Sequence, residues 1–138
     1  MKNIDLNNFI RFLSNKSFNK PDKFFFDNKI IESAFEETYE DVSYHIKNIS
    51  KDLLINKIIY NYSELAIFLF RFGNNIYKKD SSSLSLDIIN SLMKEMCSCE
   101  LYLSNHIGKG LFVQHGLGTI IGSRNKIGKG FRIFQNCT

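Results

Sequence analysis

The sequence predicts an α+β fold in which a helical N-terminal region leads into a short parallel β-solenoid of about two coils. Three observations predict it. Gly73 is the sole glycine before residue 108, and the other seven (108, 110, 116, 118, 122, 128 and 130) crowd the C-terminal stretch. Up to residue 99 the apolar residues recur at three- and four-residue intervals, the period of an amphipathic helix. From Leu101 onward they return every sixth position instead, at Leu101, Ile107, Val113, Ile121, Ile127 and Ile133, with one two-residue insertion between Val113 and Ile121. A chain of 138 residues with 43% hydrophobic content has material for one core rather than two ordinary domains. The division expected is a helical part over 1–99 and a repeat part over 100–138.

The helical part follows in order. Leu6, Phe9, Ile10 and Leu13 form one short apolar stripe. Pro21 lies in a polar loop, and Asp27 is placed to cap a longer helix in which Ile31, Phe35, Val42, Ile46 and Ile49 share a face. Ser50 is placed to cap the next, carrying Leu53, Leu54 and Ile58. Ser63 offers a start for SELAIFLFRFGNNIY, which is apolar almost all round and is therefore expected to be buried on several sides. Gly73 within it predicts a close helix approach. The loop DSSSLS then precedes Ile88, Ile89, Leu92, Met93 and Met96 on a further stripe.

A six-residue period has a physical meaning. Each short strand of a three-sided solenoid contributes one inward aliphatic residue, and each corner needs a compact turn that glycine favours. Six hexads make two coils, with Leu101, Ile107 and Val113 lying under Ile121, Ile127 and Ile133. Such coils need neighbours or a cap to bury their apolar face, so the helices are expected to cover the lower end.

Charge and composition exclude several classes. The net +4 falls on residues 100–138, where Lys109, Arg124, Lys126, Lys129 and Arg132 oppose Glu100. This is too mild for a dedicated nucleic-acid binder. No apolar run approaches the ~20 residues of a membrane span, and the start lacks a signal-peptide pattern. The expectation is a cytoplasmic protein with no membrane or nucleic-acid partner. Cys97, Cys99 and Cys137 are an odd set, read as reduced thiols.

The segment ELYLSNHIGKGLFVQHGLGTIIGSRNKIGKGFRIFQNCT, residues 100 to 138, resembles the left-handed parallel β-helix acyltransferases and, among them, the serine O-acetyltransferases. The matching positions are Glu100, Ile107, Gly108, Gly110, His115, Gly118, Ile121, Gly122, Gln135 and Thr138. The apolar AIFLFRFG segment with Arg71 also looks like the family's helical region. The resemblance implies a left-handed coil and transfer of acetyl from acetyl-coenzyme A to the L-serine hydroxyl, a step of cysteine biosynthesis. It implies His115 as general base, since an alcohol is a poor nucleophile until its proton is removed. Glu100 stands where the family has an acidic partner, usually Asp, which fixes the imidazole tautomer. No metal and no bound cofactor are implied. The partners implied are the other subunits of a homotrimer or dimer of trimers, and a cysteine synthase.

The resemblance also sets out departures. Gln114 replaces the acid that precedes the histidine in many members and contacts the acceptor; a neutral amide gives up charge attraction for an amino group. Asp52 is the candidate for a second acceptor contact, against its ordinary reading as a first-turn helix aspartate. The family pattern continues through further coils carrying a second histidine and most of the coenzyme A groove, so no coenzyme-binding residue is assigned here and a shortened, impaired enzyme is expected. The +4 of residues 100–138 could attract coenzyme A phosphates, though solvated corner lysines are the more ordinary account. Counting 18 residues per coil places Cys97 beneath His115, and Glu100 three residues further on, so their pairing requires an irregular first coil. His45 and His106 have no matched role, and the plain alternative for His115 is a solvated turn histidine. Two other functions stay open: a hexapeptide acetyltransferase with a sugar acceptor, and a non-catalytic assembly or regulatory fragment.

Overall fold

The computed structural model describes residues 2–138, with side chains from Leu6 onward. Over these residues five α-helices come first: α1 (Lys2–Asn15), α2 (Asn28–His45), α3 (Lys51–Tyr60), α4 (Tyr62–Lys79) and α5 (Leu84–Cys97), with a 3-10 turn at Lys23–Phe26 before α2. Six two-residue strands follow: β1 (Glu100–Leu101), β2 (His106–Ile107), β3 (Phe112–Val113), β4 (Ile120–Ile121), β5 (Lys126–Ile127) and β6 (Arg132–Ile133).

The expected caps are in place. Asp27 Oδ1 accepts from the amides of Lys29 and Ile30 at 2.9 and 3.3 Å, and Ser50 Oγ accepts from Leu53 N at 3.1 Å. Each such cap satisfies an otherwise orphaned N–H and contributes about 1 kcal/mol. Two helix boundaries and one loop differ from expectation. α2 stops at His45, so Ile46 and Ile49 lie beyond it; Asn48 turns the chain with φ of 63°, a conformation asparagine tolerates better than most, and Ile49 is still buried. Helix α4 begins at Tyr62 with Asn61 as its N-cap, which puts Ser63 inside the helix. The 3-10 turn after Pro21 forms because Asp22 receives the Phe24 amide while Ser83 and Ser85 donate to its carboxylate.

Helix α4 is the centre of the molecule. Residues 64 to 74 are all buried, and α2, α3 and α5 pack around it. Burying each of its large apolar side chains contributes roughly 1.5–3 kcal/mol. Gly73 does mark a close approach, but to the solenoid rather than to a helix: a Cβ there would lie 2.6 Å from Leu103 Cδ1.

The strands form three two-stranded parallel sheets, β1 with β4, β2 with β5 and β3 with β6. Leu101 pairs with Ile121, Ile107 with Ile127 and Val113 with Ile133, the stacking that the hexads predict. Partners are twenty residues apart because the two-residue insertion lies in the turn between β3 and β4, the turn that holds His115. The 18-residue count that put Cys97 beneath His115 therefore fails at this corner; the chain there is already α5.

Buried polar side chains from the helices close the lower edge of the first coil. Asn74 Nδ2 donates to the carbonyls of Leu103 and Asn105. Arg71 donates to those of Ile107 and Gly108 at 2.8 and 2.9 Å. The Asp41 carboxylate accepts from the amides of Gly110 and Leu111 and holds Arg71 through two bonds of 2.7 and 2.8 Å. An uncovered strand edge presents unpaired backbone groups, and these residues supply the missing partners. Gly110, at φ of +89°, is needed here: a Cβ would meet Tyr44 Cγ at 2.8 Å.

Candidate active site

The site is built where α3, α4 and the β3–β4 turn meet. Helices α3 and α4 bend by 99° across Asn61, which swings the first turn of α4 against the solenoid. There Ser63 Oγ accepts from the backbone N–H of His115 at 3.3 Å. A hollow of about 310 Å³ opens at this junction, lined by residues that include Lys57, Tyr62, Glu64, Phe112, Gln114 and His115. His115 has φ of 50°; Arg124 and Asn136 are in the same region, at 61° and 54°, so left-handed residues recur along the solenoid turns.

The three histidines differ in what they are free to do. His45 is committed to structure: Nε2 lies 2.7 Å from the Gly110 carbonyl, which requires a proton on Nε2 and leaves Nδ1 to face Arg132 at 3.4 Å. It therefore has a role that its sequence context did not reveal, bridging α2 to both coils. His106 is exposed on β2 opposite Lys126. The exposed ring of His115 has no hydrogen-bond partner among the described residues, so its nitrogens are available for proton transfer.

Gln114 lines the same hollow as His115. Glu100 and Asp52 do not. Glu100 is an outward residue of β1 whose carboxylate is 3.1 Å from Lys94 Nζ of α5, and it lines two other hollows, of about 470 and 300 Å³. No hydrogen bond joins it to His115 in this structure, and the two line different hollows. Asp52 is exposed in the first turn of α3. Two charged residues that sequence reasoning missed take their place beside His115, namely Lys57 and Glu64. Glu64 carried a signal, as the sole acid of α4, directly before its apolar run.

The electrostatics separate structure from chemistry. Burial pushes the Asp41 carboxyl above its ordinary value, against the opposing pull of Arg71 and two amides. The hydrogen bond to Cys99 and burial push the Cys97 thiol up; all three cysteines are free. Among the described residues no three His, Cys, Asp or Glu side chains gather as a metal site would require, and no single helix is long and apolar enough to cross a membrane.

Comparison with known proteins places this arrangement. A serine acetyltransferase from Bacillus subtilis is 30% identical over 83 residues, 59% of this chain and 38% of that protein. One from Staphylococcus xylosus is 29% identical over 73 residues, 53% of this chain and 33% of its own length. The chain is similar to serine acetyltransferases over this part of its length. A solved serine O-acetyltransferase from Brucella melitensis superposes with a TM-score of 0.66 at 15% identity, covering 98% of this chain and 57% of that one. The Neisseria gonorrhoeae enzyme, solved in complex with serine, gives 0.59 at 16% identity, with 78% of this chain and 43% of that one covered. At such identities these structures speak for the fold. No family profile matches the chain, which spans about two fifths of the length of the curated relatives it matches.

Proposed function

We propose that the chain carries the base and acceptor side of a serine O-acetyltransferase, which moves acetyl from acetyl-coenzyme A to the hydroxyl of L-serine and supplies O-acetylserine for cysteine synthesis. The observation that carries this reading is His115, an exposed histidine with unengaged ring nitrogens that, unlike His106, stands on a hollow at the helix–solenoid junction of a chain similar to serine acetyltransferases. In the reaction His115 takes the serine hydroxyl proton as Oγ bonds to the thioester carbonyl carbon. The carbon–sulfur bond then breaks, and the imidazolium returns the proton to the departing thiolate. No redox partner enters the balance. Glu100 is the acid that this reading assigns to orient the ring, on the resemblance rather than on a contact with His115.

The coil is left-handed in this proposal. The thioester is held by further coils and a neighbouring subunit of a homotrimer or dimer of trimers, in the cytoplasm, with a cysteine synthase as partner. Positioning of that kind supplies roughly 7–11 kcal/mol in favourable cases, so the 138-residue chain alone should turn over far below the ~10 per second of an ordinary enzyme. The test is thiol release from acetyl-coenzyme A in a chimera that continues from Thr138 into the later coils of the Bacillus subtilis relative. With L-serine as acceptor, His115→Ala should lower the rate on the order of a hundredfold or more, with less effect on serine binding. A near-normal rate removes His115 as the base, and preference for a sugar hydroxyl replaces serine as the acceptor.

A further inference from the structure

We infer that Glu64 and Lys57 read the two charges of the acceptor, so that the hollow beside His115 selects a hydroxyl-bearing amino acid by its ammonium and its carboxylate. This rests on the proposed reaction for the identity of the base, but the charges themselves are features of the site. The Glu64 side chain is only 8% exposed. Its nearest cation, Lys57 Nζ, is 3.8 Å from Oε1, beyond hydrogen-bond reach. No hydrogen bond reaches its carboxylate among the described residues, yet no sealed side-chain oxygen there lacks a partner. The Glu64 oxygens are therefore not sealed, and this residue lines the hollow.

A carboxylate that is nine-tenths buried and lacks donors is costly to keep. A first-turn glutamate favours the helix dipole, but an exposed one would do so without the burial. An ammonium group brought into the hollow supplies the missing donors. The opposite charge is provided for as well. Lys57 stands on the same wall, and Asn61 gives the first turn of the 18-residue α4 no side-chain cap, so amides of that turn remain to receive a carboxylate. With the ammonium on Glu64 and the carboxylate toward Lys57, a short hydroxyl side chain is left for His115, whose turn is fastened to the residue next to Glu64. Glu64 thereby restores the negative charge that Gln114 lacks. A sugar would leave both charges without partners, which is how a polar site rejects the wrong substrate.

The experiment is calorimetric titration of the 138-residue chain with L-serine, with 3-hydroxypropionate, which lacks the ammonium, and with ethanolamine, which lacks the carboxylate. Serine should bind at least tenfold more tightly than either analogue. Glu64→Gln should weaken serine at least tenfold while leaving 3-hydroxypropionate unchanged, and Lys57→Met should weaken serine while leaving ethanolamine unchanged. Unfolding midpoints check the fold, and Glu64→Gln should be no less stable than the parent because it removes a poorly partnered buried charge. The inference is overturned if serine does not bind the parent chain at millimolar concentration, if Glu64→Gln binds it normally, or if either variant loses all three ligands equally. Serine binding that depends on Glu64, with no His115-dependent transfer in the chimera, would sink the reaction and leave the site. Transfer that needs His115 but ignores Glu64 would do the reverse.

Discussion

The two coils of the solenoid carry equivalent sequences and lead different lives. Leu101, Ile107 and Val113 of the first coil are 0%, 5% and 0% exposed, whereas Ile121 and Ile133 of the second reach 7% and 9% and Ile127 is only half-buried. The upper strands receive the hydrogen bonds of the lower ones, as in Glu100 N to Thr119 O and Gln114 N to Ile133 O. The lower strands turn their remaining polar groups onto Asp41, Arg71 and Asn74 of the helices. The hexad thus specifies the shape of a coil, while a coil's stability depends on what lies against each edge.

The strongest way to break this contrast is to remove the cap. Asp41→Asn leaves the buried Arg71 guanidinium with only the more distant Glu37 carboxylate, 3.8 Å away, as a charge partner and weakens the acceptor for two solenoid amides, so it should cost about 3 kcal/mol. Urea unfolding would show a lower midpoint with an unchanged slope, and a loss under about 1 kcal/mol would mean that the cap does not hold the lower edge. The contrast between coils is sharpened by paired truncations. Leu101→Ala should cost about 2–5 kcal/mol, as fully buried leucines do, and Ile127→Ala much less than that. Equal losses would show that the second coil is covered in solution.

The smallest effect concerns the anchor far from the solenoid. Burial raises Asp22, but hydrogen bonds from Ser83, Ser85 and Phe24 outweigh it and leave the carboxyl below its ordinary 3.8. A depressed carboxyl contributes stability above the unfolded value that is lost as pH falls through the folded one. The parent should therefore lose slightly more stability than Asp22→Asn on acidification below about pH 4. Parallel acid titrations of the two would remove this anchor from the account.

Much of the architecture was legible because it depends on local rules. The caps at Asp27 and Ser50 and the six hexad positions need only neighbouring residues and a fixed period to be read. The helix boundaries at Ile46 and Ser63 were misplaced because Asn48 turns the chain and because the Ser63 hydroxyl answers a backbone amide 52 residues away. Asp41 was overlooked although it continues the buried Ala34–Thr38 stripe of α2. A periodic pattern marks such a position as inward, and says nothing of the arginine thirty residues on that makes an inward acid tolerable.

The candidate site divides along the same line. Sequence by itself determined the coil, its stacking, the turn with two extra residues and the histidine within it, since these follow from spacing along one short stretch. Tertiary structure alone decided which charges stand beside that histidine. It placed Glu100 on Lys94, left Asp52 outside the hollow, and brought Lys57 and Glu64 in through a 99° bend between two helices. Side-chain neighbours across such a bend are set by how the helices pack on the first coil, and that packing is a property of the whole core.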